Sequence, residues 1–275
     1  MASPERIHPD NVEGPFFVDT TCIDCGTCRW MAPEVFDAVP GGSRVHTQPG
    51  EDLPALQALV ACPTGSIGVR PRRPMRDAIR SFPRPVLPDV YHCGFHAESS
   101  FGAASWLLVR PEGNVLIDSP RFNRHLLEGL RALGGVEHLF LTHCDDVADH
   151  TKWAEALGCE RWLHTDDVRS GTRDVEHLFS GDVELDGLRI LETPGHTRGS
   201  CCLLAGDVLF TGDHIAGVQG RLRAFRGACW YDWEVLRGSV EKLAGLGFRH
   251  VLPGHGAPFS SEDMDADLDA LLAWM

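Results

Sequence analysis

The chain has 275 residues, of which 43 % are hydrophobic, and its formal net charge is −14 at pH 7. That length is enough for one large domain and a small one. No apolar run approaches the roughly 20 residues of a membrane span, and the negative charge argues against nucleic acid, because phosphate binding uses Lys and Arg. The first residues lack an apolar signal-peptide core and the ten cysteines are dispersed, so we expect a cytoplasmic protein.

Four cysteines near the start have the spacing of a ligand set for one iron–sulfur cluster. Cys22, Cys25 and Cys28 form a C-x2-C-x2-C turn, and Cys62 follows much later in a Cys-Pro pair. A zinc knuckle or plain free cysteines are the alternatives, but zinc sites prefer paired C-x2-C units. A cluster with four cysteine ligands has no open position, so we expect it to transfer electrons, sense redox state or support folding.

An Arg- and Pro-rich stretch divides the chain. Residues 69–88 contain five prolines and six arginines. We therefore predict a small domain over residues 1–72, a linker over 73–87 and a large domain over 88–275, with the two domains folding as separate modules. The arginines could also dock an acidic redox partner protein.

Beyond this stretch, short apolar strands alternate with helical patterns, which predicts an α/β domain with mixed sheets. The predicted strands are 105–109, 114–118, 136–141, 188–192, 201–204, 208–211 and 250–253. The first two form one hairpin, and 201–204 with 208–211 form another. The predicted helices are 123–133, 149–157 and 233–246.

Histidines and aspartates follow several of these strands in loops. Since loops after neighbouring strands can meet at one sheet edge, we expect these side chains to converge, and imidazoles with carboxylates suit zinc, iron or manganese. The residues concerned are His143, Asp145, Asp146, Asp149, His150, His196, Asp213 and His255.

Two resemblances follow from these motifs. Residues 14–70, with the four cysteines and the Ala61-Cys-Pro-Thr-Gly-Ser-Ile-Gly ending, resemble a bacterial-type single-cluster ferredoxin, which implies one [4Fe–4S] cluster on Cys22, Cys25, Cys28 and Cys62. Residues 88–260, with the Pro-Gly-His-Thr-x-Gly-Ser, Thr-Gly-Asp and Pro-Gly-His-Gly blocks, resemble the metallo-β-lactamase fold superfamily, which implies a four-layer αβ/βα sandwich.

The second resemblance also implies a ligand set. His143 and His196 match the first metal site, Asp149, His150 and His255 match the second, and Asp213 matches the bridging residue. Asp118 matches an acidic residue that supports the site from behind the ligands. One or two divalent ions, zinc or iron, are implied.

The first metal block departs from the usual T-H-x-H-x-D-H pattern. Its second His is missing, and two extra residues precede Asp149 and His150. Asp145 or Asp146 is expected in the vacant position, with Asp145 favoured by register. A carboxylate there shifts the preference toward harder metal ions and favours iron.

Three functions remain open. The first is a metal-dependent hydrolase that acts on a small ester or thioester, in which Asp149 orients the water or shares the second metal. The second is a non-haem iron oxidoreductase that receives electrons from the cluster. The third is a redox sensor or electron carrier whose large domain is only a scaffold.

Overall fold

The computed structural model describes residues 2–275, and its first part is a small α+β unit. The unit contains, in chain order, β1 (Phe16–Val18), α1 (Thr27–Met31), β2 (Phe36–Val39), β3 (Gly42–Val45), α2 (Asp52–Ala61) and β4 (Ile67–Val69). β1 pairs antiparallel with β4, and β2 pairs antiparallel with β3. Because its first and last strands pair with each other, the unit closes on itself.

A seven-stranded mixed sheet follows. Its strands and the helices around them are α3 (Arg76–Arg80), β5 (Arg84–Leu87), β6 (Val90–His92), β7 (Trp106–Leu108), β8 (Val115–Ile117), α4 (Arg124–Ala132), β9 (His138–Phe140), α5 (His150–Leu157), β10 (Glu160–His164) and β11 (His177–Phe179). The strands lie in the order β11-β10-β9-β8-β7-β6-β5. Neighbours from β8 to β11 are parallel, and the remaining pairs are antiparallel.

A six-stranded mixed sheet completes the chain. The elements are β12 (Val183–Leu185), β13 (Leu188–Glu192), β14 (Cys201–Ala205), β15 (Val208–Gly212), β16 (Ala216–Val218), β17 (Arg221–Arg223), α6 (Trp233–Glu241), β18 (His250–Pro253), β19 (Phe259–Ser260) and α7 (Met264–Trp274). The sheet order is β12-β13-β14-β15-β18-β19, and β16 and β17 form a separate hairpin. β15 and β18 are parallel.

The two sheets pack face to face with helices on their outer sides. Trp106, Phe140 and Phe210 belong to the apolar layer between the sheets. Leu126 of α4 packs behind the first sheet, and Leu236 of α6 packs behind the second. Strands covered on both faces read as continuous apolar runs, as Val-Leu-Ile does in β8. The helix–sheet–sheet–helix order confirms the predicted α/β sandwich.

The predicted elements of the large domain are confirmed, with shifts at their ends. The hairpins β7–β8 and β14–β15 form as expected. α6 ends at Glu241, five residues before the predicted end at Leu246. After Glu241 the chain changes to tighter turns, in which the Leu243 N–H bonds the Val240 carbonyl and the Ala244 N–H bonds the Glu241 carbonyl. Gly245 and Gly247 then adopt positive φ angles of 73° and 80°, so the helix does not resume.

The segment 73–87 is folded, which differs from the predicted linker. It contains α3 and β5, and β5 is an edge strand of the seven-stranded sheet. An edge strand tolerates proline, since its outer N–H groups need no partner, so the Pro-rich composition is compatible with a strand here.

The small unit and the large domain share one apolar core, which differs from the expectation of separate modules. One cluster of buried side chains joins Phe16 and Met31 of the small unit to Phe82, Phe95 and Leu107 beyond it. Phe82 contacts the ring of Phe95 with centroids 5.7 Å apart. The two parts therefore stabilise each other.

Within residues 2–275, none of the helices has the length and apolar character needed to cross a bilayer.

Candidate metal and cluster sites

The His and Asp loops converge at one edge of the two sheets. His143 follows β9, His196 follows β13, Asp213 follows β15 directly and His255 follows β18. Strands β9, β15 and β18 end in buried residues, so each loop begins at a rigid point. The sequence predicted this convergence from the strand–loop order alone.

Two overlapping groups of side chains could each hold a metal ion. His143, Asp145 and His196 form one group, and His143, Asp146 and Asp213 form the other. His196 Nε2 lies 3.5 Å from Asp145 Oδ2 and 3.7 Å from Asp213 Oδ2. His143 Nε2 lies 3.8 Å from Asp213 Oδ2 and 4.0 Å from both Asp145 Oδ2 and Asp146 Oδ2. These separations leave room for an ion between the ligand atoms.

Buried polar atoms without partners point to a cation at this place. His143 Nε2, His196 Nε2 and both carboxylate oxygens of Asp146 are buried and make no hydrogen bond. Leaving a buried polar group unpaired costs about 1–3 kcal/mol. Burial, with the Asp213 and Asp118 carboxylates nearby, raises the pKa of Asp146 well above its usual value. A divalent cation in either group would satisfy His143 Nε2 together with His196 or with Asp146, so the residues fit a metal.

His143 is oriented by a hydrogen-bonded pair behind it. Thr142 donates its backbone N–H to Asp118 Oδ1 at 2.8 Å, and its hydroxyl lies 3.0 Å from the Asp118 carboxylate. The same hydroxyl lies 2.9 Å from His143 Nδ1. Because the Thr142 hydroxyl donates its proton to Asp118, it accepts a hydrogen bond from His143 Nδ1–H. The lone pair of His143 Nε2 is then free for a metal. Burial lowers the pKa of His143 to about 4, so the ring is neutral.

Asp145 and Asp146 both lie at the site, with different surroundings. Asp145 is 46 % exposed, and the nearby His196 ring, 3.5 Å from its Oδ2, lowers the pKa of this carboxyl. Asp146 is fully buried beside Gly254. The choice between Asp145 and Asp146 is thus replaced by two carboxylates, one in each group.

Asp149 and His150 lie outside both groups. Asp149 precedes α5, accepts a hydrogen bond from the Phe122 N–H at 2.7 Å and pairs with Lys152 Nζ at 2.6 Å. His150 Nε2 lies 3.1 Å from the Gly171 carbonyl, and its Nδ1 faces Arg161 at 3.2 Å. The two residues are therefore engaged in holding α5. The carboxylate that was expected to orient a water or share a second metal is thus bonded to Phe122 and Lys152.

Asp213 and His255 form the closest pair of the site. His255 Nδ1 lies 2.8 Å from both Asp213 oxygens. Burial lowers the pKa of His255, but the Asp213 carboxylate more than offsets it, and the pKa is raised overall. Although burial opposes it, His255 and the other histidines hold the pKa of Asp213 below its usual range.

Asp167 is a residue that sequence reasoning missed. Its carboxylate accepts hydrogen bonds from the Cys144 N–H, the Thr197 hydroxyl and the Gly199 N–H, at 2.6 to 3.0 Å. It therefore ties the loop of His143 to the loop of His196. Its place just after β10 was the only available signal, and no motif marks it.

The four cysteines of the small unit line one cavity. Cys22, Cys25, Cys28 and Cys62 all border it, and none forms a disulfide. Ser66 N–H donates to Cys62 Sγ at 3.3 Å, and the Thr27 hydroxyl lies 3.4 Å from Cys25 Sγ. Burial raises the pKa of Cys28 to about 12, so a metal must displace its proton. Four convergent thiols with hydrogen-bond donors to the sulfurs fit an iron–sulfur cluster.

A single large pocket reaches from Cys25 to the His and Asp residues. On one side it is bordered by Cys25, Gly26, Arg29 and Trp30, and on the other by Asp145, Asp146, His196, Asp213 and His255, with Phe101 and Phe225 among the residues between them. The sequence did not reveal this, because the pocket forms only when the two parts of the chain pack together.

Comparison with known proteins agrees with both halves of this description. Residues 79–259 match the family model of the metallo-beta-lactamase superfamily, and residues 18–69 match that of the 4Fe-4S single cluster domain of ferredoxin I. The uncharacterized protein YmaE of Bacillus subtilis (strain 168) is 26 % identical over 137 residues, which are 44 % of this chain and 50 % of YmaE. The chain thus spans about half the length of this curated relative.

Solved structures share the fold at low identity. The metallo-beta-lactamase from Hirschia baltica has a TM-score of 0.53 and 17 % identity, over 68 % of this chain and 95 % of that one. TTHA1623 in a di-iron-bound form has a TM-score of 0.50 and 24 % identity, over 65 % and 94 %. The first of the two family matches covers most of the chain and includes every His and Asp of the site. The chain belongs to the metallo-β-lactamase superfamily and carries an N-terminal 4Fe–4S ferredoxin domain.

Proposed function

We propose that this chain is a metal-dependent oxidoreductase in which a [4Fe–4S] cluster on the four cysteines serves a metal centre at the His and Asp residues. The observation that carries the proposal is the shared pocket, which Cys25 borders on one side and His196, Asp213 and His255 on the other. A hydrolase needs no electrons, so a cluster ligand in the wall of its pocket would have no chemical role there.

The segment between the two sites is short and touches both. A methyl group added at Gly102 would lie 2.8 Å from Cys25 Cβ and 3.0 Å from its Sγ, so the Gly102 backbone packs directly on this cysteine. The next residue back, Phe101, has its carbonyl 3.4 Å from His255 Nε2 and its ring 6.0 Å from the His255 ring. Two adjacent residues therefore span the distance between a cluster cysteine and the metal site.

The ligand set favours iron. Three carboxylates, from Asp145, Asp146 and Asp213, accompany the histidines. A ligand set rich in carboxylate oxygens suits iron, whereas an all-imidazole set would suit zinc. A protein of the same fold has been described in a di-iron-bound form. When bound, the cluster would supply single electrons and the iron would bind and activate a small molecule. Asp167 and Asp118 would hold the ligand loops in place during turnover.

We infer that an external electron-transfer protein would return electrons to the cluster. The cluster cysteines Cys22, Cys25 and Cys62 are partly exposed, which gives such a partner access. All ten cysteines are free in the structure, so a reducing compartment such as the cytoplasm suits the protein.

The test combines metal analysis with spectroscopy on anaerobically purified full-length protein. Iron beyond the amount matched by acid-labile sulfide should be present and should be lost in His196→Ala. After dithionite reduction, that extra iron should speed the relaxation of the cluster's electron paramagnetic resonance signal, and the signal of His196→Ala should relax slowly. Zinc at the site, or identical relaxation in both proteins, would refute the proposal.

Hydrolysis is the second candidate, and Asp145 is the observation that favours it. This carboxylate is half exposed to the pocket and the neighbouring His196 lowers its pKa, so it would hold the proton of an attacking water, which a metal ion bound at the site would activate. Zinc-loaded protein would then cleave short acyl thioesters or aryl esters, and Asp145→Asn would abolish cleavage while Asp149→Asn would not. Absence of cleavage by zinc-loaded protein over such a panel would eliminate this candidate.

A further inference from the structure

A buried pair of histidines lies beside the cysteine cavity and is not used by either site. His92 and His96 are both fully buried, and their Nε2 atoms are 2.7 Å apart. Trp30 of α1 packs on His92 with ring centroids 4.8 Å apart. The structure places them between the ferredoxin domain and the first sheet.

Hydrogen bonds fix where the protons of this pair reside. His96 Nδ1 lies 2.7 Å from the Gly102 carbonyl oxygen, which can only accept, so Nδ1 carries the hydrogen. Burial lowers the pKa of His96 to about 4, so the ring is neutral and its Nε2 carries a lone pair that can accept a hydrogen bond. His92 Nε2 must then donate to His96 Nε2, and His92 Nδ1 is an acceptor with no partner. The pair therefore has one orientation.

The Thr27 hydroxyl has three neighbours but a single proton. Cys25 Sγ lies 3.4 Å away, His96 Nδ1 3.0 Å and the Gly102 carbonyl oxygen 3.4 Å. His96 Nδ1 is itself a donor, so it cannot take this proton. The Gly102 oxygen has a second lone pair, but it already accepts the shorter bond from His96, whereas a cluster-bound Cys25 thiolate carries negative charge and is the stronger acceptor. The hydroxyl therefore accepts from His96 and gives its proton to Cys25.

We propose that His96 directs the Thr27 hydroxyl onto Cys25 Sγ and thereby raises the reduction potential of the cluster. A hydrogen bond to a cluster sulfur stabilises the reduced state more, because that state carries the additional negative charge. His96 acts here as a positioning residue, since it reaches the cysteine only through Thr27. The inference concerns the ferredoxin domain and holds whether the His/Asp centre reduces or hydrolyses its substrate.

Matched substitutions in the full-length protein separate the hydrogen bond from packing. Thr27→Val removes the hydroxyl and keeps the shape, and Thr27→Ser keeps the hydroxyl. His96→Leu removes the Nδ1 donor and frees the Gly102 carbonyl, so the Thr27 hydroxyl can turn toward it. His96→Asn keeps an N–H near the Nδ1 position. Iron and sulfide content first establish that each variant holds its cluster.

Reduction potentials are then measured by titration with the cluster's paramagnetic signal as the readout. Thr27→Val and His96→Leu should each lower the reduced-to-oxidised ratio at a fixed potential by about five- to tenfold, as expected for one lost hydrogen bond. A tenfold change corresponds to about 59 mV for a one-electron couple. Thr27→Ser and His96→Asn should stay close to wild type.

The double variant Thr27→Val with His96→Leu gives the decisive comparison. Because both changes remove the same bond, its potential should equal that of Thr27→Val alone. An unchanged potential in Thr27→Val, or shifts that add in the double variant, would overturn the proposal. If His96→Leu fails to hold a cluster, the Thr27→Val and Thr27→Ser pair together with His96→Asn still decides it, because equal potentials in the two Thr27 variants contradict the mechanism.

Discussion

Replacing Asp146 with alanine should stabilise the metal-free protein and weaken its response to metal. Both carboxylate oxygens of Asp146 are buried without a partner, and burial raises the pKa of this group. Without metal, removing the carboxylate ends a desolvation cost of about 1–3 kcal/mol, so the free energy of unfolding should increase by that amount. In a protein of this size, each kcal/mol raises Tm by about 2–4 °C.

With metal, the advantage of the alanine variant should shrink. At a metal concentration of about 100 times Kd the wild type gains about 2.7 kcal/mol. If losing this ligand weakens binding by about 10–100-fold, the variant gains only about 0.4–1.4 kcal/mol under the same conditions. Its lead over wild type should therefore fall by about 1.3–2.3 kcal/mol when metal is added.

Thermal unfolding with a chelator and with added Fe²⁺ or Zn²⁺ measures both effects. Asp149→Ala is the matched control, because this carboxylate binds the Phe122 N–H and Lys152 instead of a metal. The control should lower Tm equally with and without metal. If Asp146→Ala keeps the wild-type response to metal, or if Asp149→Ala loses it, the assignment of these two carboxylates is refuted.

Three further outcomes can be measured. Gly102→Ala should lower iron and sulfide content, because its new methyl group would meet Cys25 Cβ at 2.8 Å, whereas Gly206→Ala, at a similarly positive φ with open space around it, should not. Phe82→Ala should cost about 3–5 kcal/mol in chemical denaturation, since Phe82 is buried in the core that the two domains share, and a midpoint within error of wild type would contradict that core. Hydrogen bonding to Arg161 lowers the pKa of Glu176 to about 2, so its stabilisation is present above the unfolded value of about 4.5 and is lost as the pH falls toward 2. Between pH 4.5 and 2 the Tm of Glu176→Gln should therefore fall less than that of wild type. Parallel plots of Tm against pH for the two proteins would contradict the ion pair.

Site residues are predictable from the sequence where one loop carries one short motif. His196, Asp213 and His255 each follow a strand within a few residues, so strand order alone brings them together. The block after β9 is different, because its inserted residues can follow more than one path. Whether Asp146 or the Asp149–His150 pair turns inward depends on contacts such as that of Arg161 with His150, which no local pattern encodes.

The packing of the two domains against each other could not be predicted from local patterns either. Proline and arginine in residues 73–87 indicate a linker by composition, yet Phe82 and the edge position of β5 bind this segment to both domains. The shared pocket and the His92–His96 pair exist only through that packing. Local patterns predict each half of the protein, but no local pattern encodes how the two halves face each other.

The packing of Gly102 on Cys25 has a consequence for how the protein is made. The four cysteines leave the ribosome first, but Gly102 is synthesised some forty residues after Cys62. N-terminal segments fold first during synthesis at about 5–20 residues per second. For several seconds the nascent chain therefore presents an uncovered thiol site, and this interval suits delivery of iron and sulfide by an assembly scaffold.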